Sequence, residues 1–289
     1  MPDRDLKIGF TGAGKVATAL ALGLTDAGYT VNAIASRSLG SAEKLAARLP
    51  SAAAGIDPQS VADAADLIFI TTPDAAIPGV AASIKAGPGK MVCHTSAADP
   101  VDVLEPLRRQ GAVTGVFHPL QSVGSIDSAA ILPGITFAIE SEEPLLGILR
   151  SLAQELGGRP VELSGTDRVL YHASAVMASN YLVTLLDLAA GLWKDFGTRE
   201  QAVAALLPLV RGAIDNVETI GVPGCLTGPI SRGDTGTVNR HLAALRGKSP
   251  RALDVYRVLG LNTIPLAVAK GGIDTDQAAI MKELLEINL

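Results

Sequence analysis

Residues 7–28 read KIGFTGAGKVATALALGLTDAG, an apolar strand pattern that runs through a glycine-rich turn into an amphipathic helix. The turn is Gly12-Ala13-Gly14-Lys15-Val16-Ala17, a G-x-G-x-x-A spacing. Each small residue in it has a mechanical reason. Gly12 permits the tight bend out of the strand, Gly14 lets a pyrophosphate approach the backbone, and Ala17 lets the helix pack close to the strand. The free N–H groups and positive dipole end of the helix then face the phosphates. Set between a strand and a helix, this spacing predicts a dinucleotide-binding unit with Gly12, Ala13, Gly14, Lys15, Val16 and Ala17 at the cofactor.

The second strand indicates which dinucleotide. An NAD-specific unit ends this strand with an acid for the ribose 2′-hydroxyl. Here it ends Ala35-Ser36-Arg37-Ser38, an arginine between two hydroxyls. Such a set pairs with a 2′-phosphate, so Ser36, Arg37 and Ser38 point to NADP(H). The alternative for Arg37 is a solvated surface charge.

The first half alternates apolar strands with helical patterns. Strands are expected at 7–11, 30–35, 67–72, 91–95, 113–117, 136–140 and 160–163, with helices at 15–27, 42–49, 74–85, 100–110 and 144–156. This alternation predicts an α/β fold with a doubly wound, mainly parallel sheet. After residue 163 the strands stop. Ser164-Gly165-Thr166 reads as a linker, followed by one long helix over 167–196 and a second over 199–220 kinked at Pro208. Shorter helices follow near 235–246, 250–269 and 275–287. The expected domains are therefore a Rossmann domain over 1–163 and an all-helical substrate and dimerisation domain over 164–289.

Composition narrows the function classes. The chain has 289 residues, 48% hydrophobic and 18% charged, which supports a sizeable core without covalent staples. Its net charge of −5 argues against a nucleic-acid binder. Cys93 and Cys225 stand far apart, so neither a metal spacing nor a disulfide framework is present, and a reduced cytoplasmic setting fits. The amino-terminal MPDRDLK is polar and does not read as a signal peptide. The apolar stretches are Ala-rich and broken by polar residues or Gly, short of the ~20 uninterrupted apolar residues of a membrane span. Long Ala- and Leu-rich helices make a homodimer through the carboxyl-terminal domain plausible.

Ligands of open α/β sheets lie beyond the carboxyl ends of the strands. One strand ends in Thr71, Thr72 and Pro73 and another in Thr95 and Ser96, so these residues are candidates for the nicotinamide ribose and ring. Turn and cap chemistry explains the threonines equally well. The four histidines are His94, His118, His172 and His241. Two end strands on the cofactor edge, and His172 lies near the start of the long helix. Hydride transfer to a carbonyl needs a proton donor, for which His172 or His118 is suited. Asn180 is eight residues beyond His172, on roughly the same helix side, and can orient a substrate. The structural readings are packing for His94, partner or solvent contact for His241, and a backbone bond for Asn180. Arg232 fits a substrate carboxylate, or else pairs with Asp234 to order the loop and cap the next helix.

The motifs HTSAA (94–98), GVFHPLQS (115–122), YHASAVMASNYLVTLL (171–186) and LTGPISRGDTGTVNRHLAAL (226–245), with the SRS after the second strand, carry a family resemblance. The chain resembles, over nearly its whole length, the Rossmann-like NADP oxidoreductases whose carboxyl-terminal half is domain of unknown function 2520. The resemblance implies a Rossmann domain, a helical dimerisation domain and an active site in the cleft between them. It extends to a wider group with 6-phosphogluconate and 3-hydroxyisobutyrate dehydrogenases, ketopantoate reductase and pyrroline-carboxylate reductase. Some similar proteins are linked to ketopantoate reduction. The hydroxyacid dehydrogenases of that group carry Lys-x-x-x-Asn on this helix. Asn180 is present here, but Val176 stands four residues earlier.

The expectation is an NADPH-dependent reductase of a small carbonyl compound, such as a 2-keto acid. The alternatives are a non-catalytic NADP(H)-binding sensor and an imine reductase resembling pyrroline-carboxylate reductase.

Overall fold

A computed structural model describes residues 4–124, 129–163 and 168–286. The expected linker at 164–166 and the helix start at 167 lie outside the described residues. The elements run β1 (Lys7–Thr11), α1 (Lys15–Asp26), β2 (Thr30–Ala35), α2 (Leu39–Ala46), β3 (Ala53–Gly55), α3 (Pro58–Ala64), β4 (Leu67–Ile70), α4 (Ile77–Ser83), β5 (Met91–His94), α5 (Glu105–Arg108), β6 (Val113–Leu120), β7 (Thr136–Ser141), α6 (Leu145–Glu155) and β8 (Arg159–Glu162). Then follow α7 (Arg168–Ala178), α8 (Asn180–Gly191), α9 (Arg199–Ile220), α10 (Thr235–Lys248), α11 (Pro250–Ala269) and α12 (Thr275–Glu286).

Eight strands form one sheet in the order β3-β2-β1-β4-β5-β6-β7-β8. Pairing is parallel except between β6 and β7. The order reverses beside β1, so β1 and β4 diverge from a crevice at their carboxyl ends. β1 and β4 are apolar on both faces because helices cover both. One face carries Phe10, Phe69, Phe117 and Phe137, whose rings follow one another at centroid distances of 5.3, 5.6 and 4.7 Å, the outer two pairs stacked and the middle pair tilted. The apolar stripe of α1, with Ala17, Leu20, Ala21 and Leu24 buried, packs into the same core. The other face holds Ile68, Ile70 and Val92 under α3 and α4.

By its internal contacts the chain divides into Met1–Ser179 and Asn180–Leu289. The first unit therefore keeps α7, which composition alone assigns to the helical half. A buried ion pair from Arg168 to Glu140 ties α7 to β7. The expected single helix over 167–196 is observed as α7 and α8, interrupted at Ser179, with turns from Leu192 onward. In the second unit α10, α11 and α12 bury Val238, Leu242, Ala267, Met281 and Leu285 in a core of their own. Pro208 lies inside α9, which continues through it. Thr198 and Gln201 close a reciprocal capping box at its start.

Two stretches, Arg168–Gly191 and Pro250–Ala269, are long and apolar enough to cross a membrane by length and composition alone. This differs from the expectation because averaged hydropathy tolerates the polar residues that break each run. In the first stretch Arg168 is buried in its ion pair and a turn interrupts the helix.

Candidate active site

The carboxyl ends of β1, β2 and β4 enclose a cavity of about 330 Å³. Gly12, Ala13, Gly14, Ser36, Arg37, Ser38, Thr71, Thr72 and Pro73 line it, as do Ser41, Ile56 and Pro58, which sequence reading did not single out. The two turn glycines have different causes. Gly12 has φ +116°, and a Cβ there would meet the Thr71 backbone at 2.6 Å. Gly12 is therefore required by the protein itself. A Cβ on Gly14 would meet nothing within 4 Å. No packing requires Gly14, and its missing side chain leaves that part of the cavity wall open. Gly14 is also the N-cap of α1, without a side-chain cap and without an acid in the first turn. The helix thus offers uncompensated N–H donors at the cavity wall.

The Thr71 hydroxyl donates toward the Thr11 and Gly12 carbonyls at 3.2 and 3.1 Å, which fastens the turn to the end of β4. The Thr11 and Thr72 hydroxyls are buried with no hydrogen-bond partner among the described residues. Buried hydroxyls on a cavity wall are unusual unless a ligand or water completes them. Arg37 and Ser38 are exposed at the far side. The other expected cofactor residues lie away from the cavity lining. Ala17 is fully buried against the sheet, which is the packing role its size predicts. Lys15 donates to the Gly124 carbonyl at 2.5 Å. The Ser96 N–H donates to His94 Nδ1 at 3.2 Å, and its hydroxyl accepts from the Asp99 N–H at 3.1 Å. Ser96 is thus engaged in turn chemistry. Thr95 donates its backbone N–H to the Ile70 carbonyl at 3.3 Å.

A second group of polar residues lies beside this edge. In register, Ile70 pairs with His94, His94 with Val116, and Val116 with Glu140. Residues opposite one another share a face, and His118 is two residues beyond Val116. His94, His118 and Glu140 therefore stand on one face of the sheet. From α7, Arg168 reaches Glu140, its Nε donating to Oε2 at 2.7 Å. One turn later the Tyr171 hydroxyl lies 2.9 Å from His118 Nδ1, with the rings edge to face.

Burial decides the charge states here. His94 is fully buried, donates from Nε2 to the Pro100 carbonyl and accepts at Nδ1 from Ser96. Both ring nitrogens are spent, so His94 is scaffolding. Burial lowers its pKa to about 4. Burial also lowers His118 to about 4, assisted by the positive charge of Arg168. Burial raises Tyr171 to about 12, against the opposing influence of Arg168. Near neutral pH the imidazole of His118 is unprotonated at one nitrogen, and the proton of the pair resides on Tyr171. Sequence reading missed Tyr171, although its spacing from Arg168 on a helix was visible. His172 and Asn180 are exposed, His172 on α7 of the first unit and Asn180 at the start of α8 in the second. His241 approaches the Tyr256 hydroxyl at 3.0 Å within the second unit. Asp234 caps α10 by accepting from the Thr237 N–H at 2.9 Å, the structural role expected of it.

No curated protein sequence matches the chain. Among solved structures it is similar to a Bacteroides fragilis protein proposed to be an NADP oxidoreductase, with 24% identity over 91% of this chain and 99% of that one and a TM-score of 0.71. It is also similar to a reductive aminase from Aspergillus terreus in complex with NADPH and ethyl levulinate, at 15% identity over 98% and 99% and a TM-score of 0.64. A third is a 1-pyrroline-5-carboxylate reductase from Streptococcus pyogenes, at 19% identity over 97% and 100% and a TM-score of 0.60. These likenesses confirm the fold. Residues 1–119 match the Rossmann-like domain and residues 135–263 match domain of unknown function 2520, so the chain joins these two domains in sequence.

Proposed function

We propose that the chain is an NADP(H)-dependent oxidoreductase that reduces a small carbonyl or imine compound. The observation that carries this reading is Gly14, a bare helix N-cap facing a cavity that Arg37 also lines. The pyrophosphate is held by the Gly12–Ala17 turn, with Gly14 as the point of closest approach and the first N–H groups of α1 as donors. Arg37, with Ser36 and Ser38, takes the 2′-phosphate. Thr72 and Thr11 bring unpaired hydroxyls to the same wall. The reduced nicotinamide supplies a hydride when bound.

The chain's own part in the chemistry is the proton. Tyr171 holds it near neutral pH and gives it to the carbonyl oxygen as the carbon is reduced. His118 supports this step. Once Tyr171 has given up its proton, the Nδ1–H tautomer of neutral His118 donates to the phenolate oxygen and stabilises it. With a pKa of about 4, its imidazolium is populated only to roughly one part in a thousand at pH 7, too little to serve as the donor. This replaces the absent lysine of the Lys-x-x-x-Asn pattern with a tyrosine–histidine pair. His172 and Asn180 retain proposed roles as a second proton source and a substrate-orienting amide.

The imine reading is supported by the fold shared with the reductive aminase and the pyrroline-carboxylate reductase. NADPH fluorescence titration followed by turnover on paired carbonyl and imine substrates tests both. Tight NADPH binding without turnover of either class would favour a sensor.

A homodimer belongs to this proposal. On α9, Leu209, Ile214, Val217 and Ile220 are 71, 52, 48 and 61% exposed in the single chain. An apolar face of that extent is characteristic of an interface.

A further inference from the structure

The proposed proton step leaves one buried group idle. Arg168 is only 4% exposed. Its Nε is spent on Glu140, but Nη1 and Nη2 are both buried with no hydrogen-bond partner among the described residues. A buried donor without an acceptor is costly, more so when charged. Glu140 holds the guanidinium through Nε and leaves its terminal edge unused. That edge carries two parallel N–H donors, the arrangement that meets a carboxylate with two hydrogen bonds.

We propose that Arg168 receives the carboxylate of a small acid substrate, Nη1 and Nη2 each donating to one of its oxygens, beside the Tyr171–His118 pair. This rests on the reductase reading above and assigns its substrate class. Arg168 and Tyr171 are three residues apart on α7, so their side chains project from neighbouring positions on one side of the helix. A carboxylate held by the first places a carbonyl one bond away toward the hydroxyl of the second. The class that fits is a 2-oxo acid or its imine. Glu140 sets an upper limit on charge. A monoanion shares the guanidinium with one carboxylate, whereas a phosphate dianion would bring a second negative charge against it. The charge of Arg168 already reaches His118 and His94, whose basicity it depresses.

The test is calorimetric binding of oxamate, an unreactive 2-oxo acid mimic, to the full chain with and without NADP+. Arg168→Lys keeps a cation beside Glu140 but removes the two-donor edge. It is expected to weaken oxamate binding by about tenfold or more, with NADPH affinity and melting temperature preserved. Glu140→Gln keeps an acceptor for Nε and removes the competing charge, so it is expected to tighten oxamate binding. A merely structural tie between α7 and β7 predicts neither change. Oxamate binding equal in Arg168→Lys and wild type, or absent from wild type, overturns the proposal. Turnover separates the two levels. Arg168-dependent oxamate binding without any NADPH oxidation sinks the reductase reading and leaves the carboxylate site. NADPH oxidation that is as fast with simple ketones as with 2-oxo acids does the reverse.

Discussion

The Tyr171 hydroxyl lies 2.9 Å from Nδ1 of His118, with the two rings edge to face and both partly buried. The pair joins the first helix after the sheet to the strand where pairing turns antiparallel. Its two pKa directions are opposite, and each follows from burial. The hydroxyl is therefore the protonated member over the whole physiological range.

Removing that hydroxyl isolates its role. Tyr171→Phe is expected to lower kcat by ~10²–10⁴ for whichever carbonyl compound is turned over, the usual worth of a positioned acid. NADPH affinity should not move. Steady-state kinetics paired with fluorescence titration checks both, and an unchanged kcat would remove Tyr171 from the chemistry.

The proposed function makes cofactor choice depend on Arg37. Arg37→Ala is expected to weaken NADPH binding on the order of 10–100-fold, the value of a charge-assisted phosphate bond. NADH binding should change by less than about threefold on the same argument. Equal losses for the two dinucleotides would return Arg37 to an ordinary surface charge.

The two turn glycines should respond in opposite ways. Gly12→Ala drives a methyl group into the Thr71 backbone at a φ of +116°. It is expected to destabilise the fold by about 1–3 kcal/mol. Gly14→Asp meets open space and supplies a favoured N-cap. Its melting temperature should hold or rise, while the added negative charge abolishes NADPH binding. Thermal melts and nucleotide titrations on both variants decide the matter. Retained NADPH binding in Gly14→Asp would remove the pyrophosphate from this turn.

Acid should destabilise the protein through its buried histidines. His94 and His118 have folded pKa values of about 4, below the ordinary 6.5. A depressed value means that the unfolded chain binds the proton first. The stability they contribute is complete above pH 6.5 and is lost as pH falls through 4. Each contributes a slope of up to ~1.4 kcal/mol per pH unit in that window. Melting temperature measured from pH 7 to 4.5 should fall, and His94→Gln should flatten part of the decline. A flat profile in the wild type would contradict the burial argument.

An apolar face on α9 predicts self-association. Ile214→Glu combined with Val217→Glu is expected to convert a dimer to a monomer in sedimentation, with the Rossmann unit still binding NADPH. A wild-type chain that sediments as a monomer at micromolar concentration would remove the dimer from the proposal.

Most of the sheet was legible because its strands are apolar on both faces and its turns carry glycine or proline. Strand β3 and helix α3 were not. Ala53–Gly55 has only three residues and an exposed pattern. Pro58–Ala64 is short, although Asp57-Pro58 is a cap followed by proline, a signal that could have found it. The strand–turn–helix geometry around Gly12 and Gly14 was readable because its logic is local. The chemistry beneath α7 was not, because it depends on burial. A tyrosine or arginine on an amphipathic helix has no visible proton affinity or orphaned donor until the sheet beneath it is known. Register did that work, aligning His94, Val116 and Glu140 across three strands. The assignment of α7 to the first unit has the same origin, since the Arg168–Glu140 tie spans 28 residues of sequence.

The stacked phenylalanines give the sheet two unlike sides. Four of the five phenylalanines in the chain lie in that row, fully enclosed, while the opposite surface bears His94, His118 and Glu140. Aromatic packing and ionisable side chains are thus assigned to separate faces of one sheet. Substitutions above the polar layer leave intact the aromatic backing that keeps the strands in place, because that backing lies on the other side of the sheet.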